Sequence, residues 1–463
     1  MRGAPASSLR CHGSRGYERW WHDLGRCHGR RRPGAGPGAC LWNRRPAFSR
    51  PEKIRSLAPP RGPVGDRPAG HHRRTPPGEV APGCYRDCGL GASVRMAPAL
   101  PRIGKQNCNP QNRLGGASQT QAVETLAPFT KNEPLRFGVI GCGAISTLYQ
   151  LPALRTQKRR ARLVAVADRD EAWARRVAKQ YGAGLAVANY EDLLEAVDAV
   201  LIATPNASHR EIACSCLDAG VHVLCEKPAA PTADDVRAMF EAEARSTARL
   251  MIAHCVRFSP HLQCAHGMHV RGLLGDDVRL EASLGGPYGA SAHRTDFRRD
   301  PAQAGGGVLL DLGVHLIDLC VWFFGSSPEL AAHELTAVDD WPVETDVRLT
   351  INFPGATAHL AASYSRQLAN SIRISGTEGW IQGHLYQPDV LEFFSRNSTI
   401  CRRDGAQQIR LDNRSMYELQ FEHFFSALLE DRPFLIQADE VLATARTADA
   451  CYRRDNANTV PAA

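Results

Sequence analysis

The stretch that most constrains the fold is a junction. Leu135-Arg136-Phe137-Gly138-Val139-Ile140 reads as a short apolar strand, and Gly141-Cys142-Gly143-Ala144-Ile145-Ser146 leads from it into a segment with Leu148, Leu151 and Leu154 at helical spacing. A turn this tight between strand and helix needs a residue without a β-carbon, and Gly141 supplies it. Gly143 then lets the helix N-terminus, with its unpaired N–H groups, approach a pyrophosphate. Ser146 stands where the dinucleotide-binding fingerprint has a third glycine, so taken alone the motif also fits an ordinary glycine turn.

The sequence that follows strengthens the nucleotide reading. A second strand, Arg162-Leu163-Val164-Ala165-Val166-Ala167, ends at Asp168, 22 residues beyond Ser146. A carboxylate there can accept both ribose hydroxyls and would repel a 2′-phosphate, which favours NAD. Arg169 follows at once and could instead hold the 2′-phosphate of NADP. Strand and helix patterns then alternate: helix 170–181, strand 185–187, helix 190–197, strand 199–203, helix 208–219, strand 221–224, helix 232–246 and strand 250–253. Such alternation predicts a parallel, doubly wound sheet with ligands at the carboxyl ends of its strands. The expected nucleotide-binding domain covers residues 133–255. Its cofactor contacts are Gly141, Gly143, Ala144, Ile145, Asp168, Arg169, Thr204, Pro205, Asn206, Glu226 and Lys227.

Two features carry chemistry. Lys227 lies in Cys225-Glu226-Lys227-Pro228, at such a strand end, where an ammonium can hydrogen-bond a substrate oxygen. The plainer alternative is a surface lysine paired with Glu226. Further on, Gly305-Gly306-Gly307 opens an apolar helix in which Asp311, His315 and Asp318 fall at i, i+4 and i+7. Ionisable groups on an apolar helix are costly unless they meet partners or substrate. His315 suits general acid–base work, with Asp311 one turn earlier to orient it. The alternative is a polar face buttressing a domain interface.

In order, Gly141-Cys142-Gly143, Glu226-Lys227-Pro228, Arg257-Phe258-Ser259-Pro260 and Gly306-Gly307-Val308-Leu309-Leu310-Asp311-Leu312-Gly313-Val314-His315-Leu316-Ile317-Asp318 resemble the Gfo/Idh/MocA oxidoreductases over residues 134–455. The resemblance implies a Rossmann domain followed, over residues 256–463, by an α+β domain with a large open, mainly antiparallel sheet. It implies that Lys227 and His315 flank a substrate carbonyl or alcohol, with Asp311 assisting, on a sugar, cyclitol or related polyol. It also implies a homodimer or homotetramer formed through that sheet. β-rich runs at 278–284, 347–353, 358–364, 372–375 and 390–394 agree, with Gly376-Thr377-Glu378-Gly379 as a hairpin turn, and helices are expected near 416–430 and 437–453. Substrate-pocket candidates are Arg257, Tyr288 and His293, then His254, Arg294 and His384. The leading function is net hydride transfer with NAD or NADP. The alternatives are an NAD-dependent glycosidase with no net redox and a non-catalytic nucleotide sensor.

Composition separates a leader from this body. Of 56 Lys and Arg and 48 Asp and Glu in 463 residues, 22 and 7 lie in the first 130, with 34 of the 70 glycines and prolines. Residues 1–132 therefore read as a basic, disordered leader or as sequence upstream of a later start such as Met96, rather than as a nucleic-acid or membrane tail. No apolar run follows Arg44-Arg45, which excludes a twin-arginine export signal. No purely apolar run approaches the ~18 residues of a membrane span. The 15 cysteines lack paired metal spacing, and the group His254, Cys255, His261, Cys264, His266 and His269 reads as packing and surface. The expectation is a cytoplasmic enzyme with no metal and no nucleic-acid or membrane partner.

Overall fold

The structure, a computed structural model, describes residues 9–10, 133–289, 295–338, 340–396 and 405–458, all in one compact unit. The expected leader lies outside the described residues, apart from Leu9–Arg10.

Six parallel strands form the first sheet: β1 (Leu135–Ile140), β2 (Ala161–Ala167), β3 (Leu185–Val187), β4 (Ala199–Ile202), β5 (His222–Glu226) and β6 (Leu250–Ala253). Their order is β3-β2-β1-β4-β5-β6. Order reverses beside β1, so the crevice for a ligand opens at the carboxyl ends of β1 and β4. Helices α1 (Leu151–Leu154), α2 (Glu171–Tyr181), α3 (His209–Asp218) and α4 (Ala233–Arg245) supply the crossovers. Caps set their starts: Asp170 accepts from the Trp173 N–H, and Thr232 from the Asp235 N–H. The helix expected over 190–197 forms as a 3₁₀ segment, Tyr190–Ala196.

The second sheet holds β7 (Val278–Gly285), β8 (Glu329–Thr336), β9 (Asp346–Phe353), β10 (Ala356–Ser363), β11 (Ser371–Gly376), β12 (Gly379–His384), β13 (Gln387–Ser395) and β14 (Gln407–Arg410). Their order is β14-β13-β12-β11-β7-β10-β9-β8; only β7 and β10 pair parallel among these eight. Leu9–Arg10 adds a two-residue parallel strand beside β14. Thr377-Glu378 make the tight turn between Gly376 and Gly379, as expected. β8, β12 and β14 had no sequence signal: in β8 only Leu330 is buried, so there is no apolar alternation to read.

Helices α5 (Pro260–Val270), α6 (Pro301–Ala304), α7 (Val314–Phe324), α8 (Met416–Leu429) and α9 (Ala438–Asn458) complete the fold. Pro301–Phe324 is long and apolar enough by length and composition to cross a membrane, although Gln303, Asp311, His315 and Asp318 interrupt its apolar run. The stretch is mostly buried, and its apolar side chains belong to the core under the second sheet. α8 packs back onto the first domain, where Phe421 and Phe425 stand edge-on to Phe137 at 5.8 and 5.2 Å. The nucleotide domain therefore shares its core with the chain's late helices.

Candidate active site

A cleft of about 880 Å³ runs along the carboxyl ends of the parallel strands. Gly141 takes φ +93°, and a β-carbon there would stand 2.5 Å from the Ala203 carbonyl oxygen. Only glycine fits both constraints. A β-carbon on Gly143 would meet nothing within 4 Å, so that side of the turn opens to the cleft. Ser146 accounts for the missing third glycine: it is fully buried, and its hydroxyl donates to the Gly141 carbonyl at 2.5 Å. The helix opens there with a π turn, Ser146–Gln150. The open backbone at Gly143, the helix start behind it and the length of the cleft fit a dinucleotide.

The other expected cofactor residues border the same cleft: Ala144, Ile145, Asp168, Arg169, Thr204, Pro205, Asn206, Glu226 and Lys227. Asp168 is fixed by two backbone donors, the Cys142 N–H at 2.9 Å and the Asp170 N–H at 3.0 Å. Arg169 is exposed beside it. Asn206 is buried and donates to the Ala304 carbonyl at 2.8 Å, tying the cleft floor to α6.

Lys227 is not paired with Glu226. Its Nζ donates to Asp311 Oδ1 and to the Asp311 carbonyl oxygen, each at 2.8 Å, and the two side chains are 12% and 19% exposed. Glu226 is held separately, accepting from Gln150 Nε2 at 2.5 Å and from the Lys227 N–H at 3.2 Å. Burial raises the Glu226 carboxyl above its ordinary range, against the pull of Lys227 and Gln150. For Asp311 burial is outweighed: the Arg298 and Lys227 cations, with hydrogen bonds from Lys227 and Tyr364, hold the carboxyl well below the usual carboxylate range. His315 is half-buried with its Nδ1 unpartnered. Burial and the nearby Lys227 and His254 push it well below an ordinary histidine, Asp311 opposing.

Asp318 departs from the expected triad. The turn Leu309–Gly313 is a π turn, whose extra residue offsets Asp311 from the α-helical register of α7. Asp318 instead meets Arg257 in a buried fork: Nε to Oδ2 at 2.8 Å and Nη2 to Oδ1 at 2.6 Å. Arg257 Nη1 adds Glu440 Oε2 at 2.5 Å. This corrects the assignment of Arg257 to the substrate pocket, because its guanidinium is fully buried and committed to two carboxylates. His254 is buried with Nδ1 at 3.5 Å from Asp318. Tyr288 donates to Asp296 at 3.0 Å and packs on Tyr364 and Trp341, one layer behind the cleft. His384 accepts from the Tyr386 N–H. None of these four borders the cleft. His293 and Arg294 lie outside the described residues.

Three residues were not anticipated. Arg298 Nε and Tyr364 Oη both donate to Asp311 Oδ2, at 3.0 and 2.7 Å. Arg298 sits just ahead of the glycine triplet and Tyr364 closes an expected β-rich run, but their convergence is tertiary. His209 places Nδ1 and Nε2 each 2.9 Å from a carbonyl oxygen, of Pro228 and Thr204. It thereby ties the loop carrying Lys227 to the loop after β4. Among the described residues no group of three or more His, Cys, Asp or Glu side chains is placed to hold a metal. His266, from the earlier Cys/His group, stacks on Trp322 at 4.2 Å.

Residues 135–254 match the oxidoreductase family with an NAD-binding Rossmann fold, GFO/IDH/MocA, and residues 263–382 match the GFO/IDH/MocA C-terminal domain. Bovine trans-1,2-dihydrobenzene-1,2-diol dehydrogenase is 35% identical over 258 residues, 54% of this chain and 73% of that protein. The chain belongs to the Gfo/Idh/MocA family. D-xylose 1-dehydrogenase (NADP(+)) 2 of Haloferax volcanii is 29% identical over 324 residues, covering 69% of this chain and 96% of its own. The aldose-aldose oxidoreductase of Caulobacter crescentus, solved with glycerol, superposes with a TM-score of 0.63 at 25% identity, over 70% of this chain and 98% of that one. This Gfo/Idh/MocA protein is an NAD(P)-dependent oxidoreductase.

Proposed function

We propose that this enzyme transfers a hydride between nicotinamide and a carbinol carbon of a sugar, cyclitol or related polyol, with Lys227, Asp311 and His315 as its chemical groups. The observation that carries the reading is the Lys227–Asp311 pair, set in the nucleotide cleft; His315 stands four residues beyond Asp311, behind the residues that line the cleft, and burial favours its neutral form. When bound along this cleft, nicotinamide would supply or accept the hydride. Lys227 points an N–H at the substrate oxygen and stabilises the negative charge that grows there on oxidation. His315, held neutral, takes the hydroxyl proton in that direction and returns it in reduction. Asp311 holds Lys227 in place through two hydrogen bonds. A dihydrodiol and an aldose are what the relatives' names describe, and both present a ring hydroxyl to such a set.

For the cofactor we favour NAD. The two backbone donors that fix Asp168 leave a free lone pair on each oxygen for ribose hydroxyls, and its charge opposes a 2′-phosphate. Arg169 is the residue that supports NADP instead. The open face of the second sheet, with Glu281, His333, Arg348 and Arg373 around a shallow hollow, supports association into a homodimer or homotetramer. Cys214, Cys216, Cys225, Cys255 and Cys320 are free thiols, which suits a reducing, cytoplasmic setting.

The test is absorbance at 340 nm with sugars, inositols and their keto forms, using NAD(H) and NADP(H) in turn. Substrate-dependent change with NAD(H) supports the whole reading. Change with NADP(H) alone overturns the cofactor assignment. Nicotinamide bound without net change sends the substrate search to glycosides.

A further inference from the structure

We propose that Arg298 and Tyr364 are positioning residues that aim the third N–H of Lys227 into the cleft, acting through the carboxylate of Asp311. The inference rests on the role given to Lys227 above and extends it to two residues with none assigned.

An ammonium has three donors. Two of those on Lys227 end on one residue, at Asp311 Oδ1 and at the Asp311 carbonyl oxygen, both 2.8 Å away. With two donors fixed, the direction of the third is determined. The carbonyl is anchored by the backbone of the π turn Leu309–Gly313. The carboxylate can rotate, and it holds its angle through Oδ2, which accepts from Arg298 Nε at 3.0 Å and Tyr364 Oη at 2.7 Å. These donors arrive from opposite parts of the chain: the 3₁₀ segment Phe297–Arg299 and the residue just past β10. Any rotation of the carboxylate breaks at least one of its three side-chain bonds.

Tyr364 is itself held rigidly. It is 5% exposed, its N–H donates to the Thr345 carbonyl at 2.7 Å, and its ring lies against Tyr288 and Trp341. Its hydroxyl is the tip of an apolar wall, aimed at one oxygen. The charged or titratable groups around Asp311 are Lys227, Arg298, His315, Tyr288, Tyr364 and Tyr386. Lys227 and Arg298 face the Asp311 carboxylate, and the buried Glu226 carboxyl lies within reach of both cations.

The test compares wild type with Tyr364→Phe, Arg298→Gln and Arg298→Lys, using full-length protein. Expected for Tyr364→Phe is a kcat loss of roughly 10- to 100-fold with KM and nicotinamide affinity within about twofold. Arg298→Lys should recover part of the loss caused by Arg298→Gln. A second readout needs no substrate: reductive methylation with ¹³C-formaldehyde, followed by peptide mass spectrometry at Lys227. Freed from its anchors, Lys227 should be modified several-fold faster in Tyr364→Phe and Arg298→Gln. Unchanged Lys227 reactivity in both variants overturns the proposal, as does a loss confined to KM. If wild type turns over no substrate, the function proposed above fails while the methylation rates still decide this inference. If Tyr364→Phe does not fold, the two Arg298 variants carry the test.

Discussion

Lys227 and Asp311 are bound twice over, once through the carboxylate and once through the backbone carbonyl, each contact at 2.8 Å. One residue thus fixes the ammonium from a helix that belongs to the other domain. Substituting Lys227→Met removes the charge and keeps the stem. Turnover should fall roughly 100- to 1000-fold, since a preorganised donor to a developing oxyanion is lost, while nicotinamide binding, read by its fluorescence, should stay within a few-fold.

Asp168 should govern the cofactor. Asp168→Asn keeps an acceptor for the Cys142 N–H and removes the charge. NADP affinity should rise and NAD affinity fall, each by roughly tenfold, or about 1.4 kcal/mol. Titration of nicotinamide fluorescence with both cofactors checks this, and unchanged affinities would put Asp168 outside the ribose site.

The fork of Arg257 on Asp318 predicts a strong asymmetry between single and double substitutions. Arg257→Met leaves Asp318 buried without its counter-charge and should cost roughly 3–5 kcal/mol. Arg257→Met with Asp318→Leu should regain much of that. Urea unfolding of wild type, Arg257→Met, Asp318→Leu and the double variant measures it, and additive losses would show that the pair is not one unit.

Acid should destabilise this fold before its carboxylates titrate. His254, His261, His266 and His423 are pushed down to about 4, each chiefly by burial. In the unfolded chain they bind protons from about pH 6.5 downward, and in the folded chain they resist until about 4. Stability present above pH 6.5 is therefore lost as pH falls towards 4, at up to about 1.4 kcal/mol per pH unit for each such histidine. The urea midpoint should drop steeply between pH 7 and pH 5, and His423→Phe should flatten that slope.

The first glycine of the turn should tolerate nothing larger. Gly141→Ala combines φ +93° with a β-carbon 2.5 Å from the Ala203 oxygen, a cost of roughly 3 kcal/mol. Gly143→Ala meets nothing within 4 Å in the protein. It should leave the unfolding midpoint nearly unchanged and weaken cofactor binding instead.

Local patterns carried most of what the sequence revealed. Strand 250–253 and the turn at Thr377-Glu378 form where expected, because apolar runs and glycine punctuation act over a few residues. Lys227, Asp311 and His315 were legible because each sits at a landmark, a strand end or a helix after a glycine triplet. Arg257 was misread for the opposite reason: a charge beside apolar residues looks the same whether its partner is a substrate or Asp318. Arg298 and Tyr364 were invisible as a pair, since neither spacing nor composition links them to one oxygen of Asp311.

The contact of Phe421 and Phe425 with Phe137 has a bearing on biosynthesis. On a ribosome the parallel sheet emerges first, yet one wall of its core is missing until residue 425 has cleared the exit tunnel. The half-built domain must wait through synthesis of the entire second sheet with Phe137 uncovered. Nascent chains stalled after residue 255 should therefore be held by chaperones, and those stalled well beyond residue 429 released.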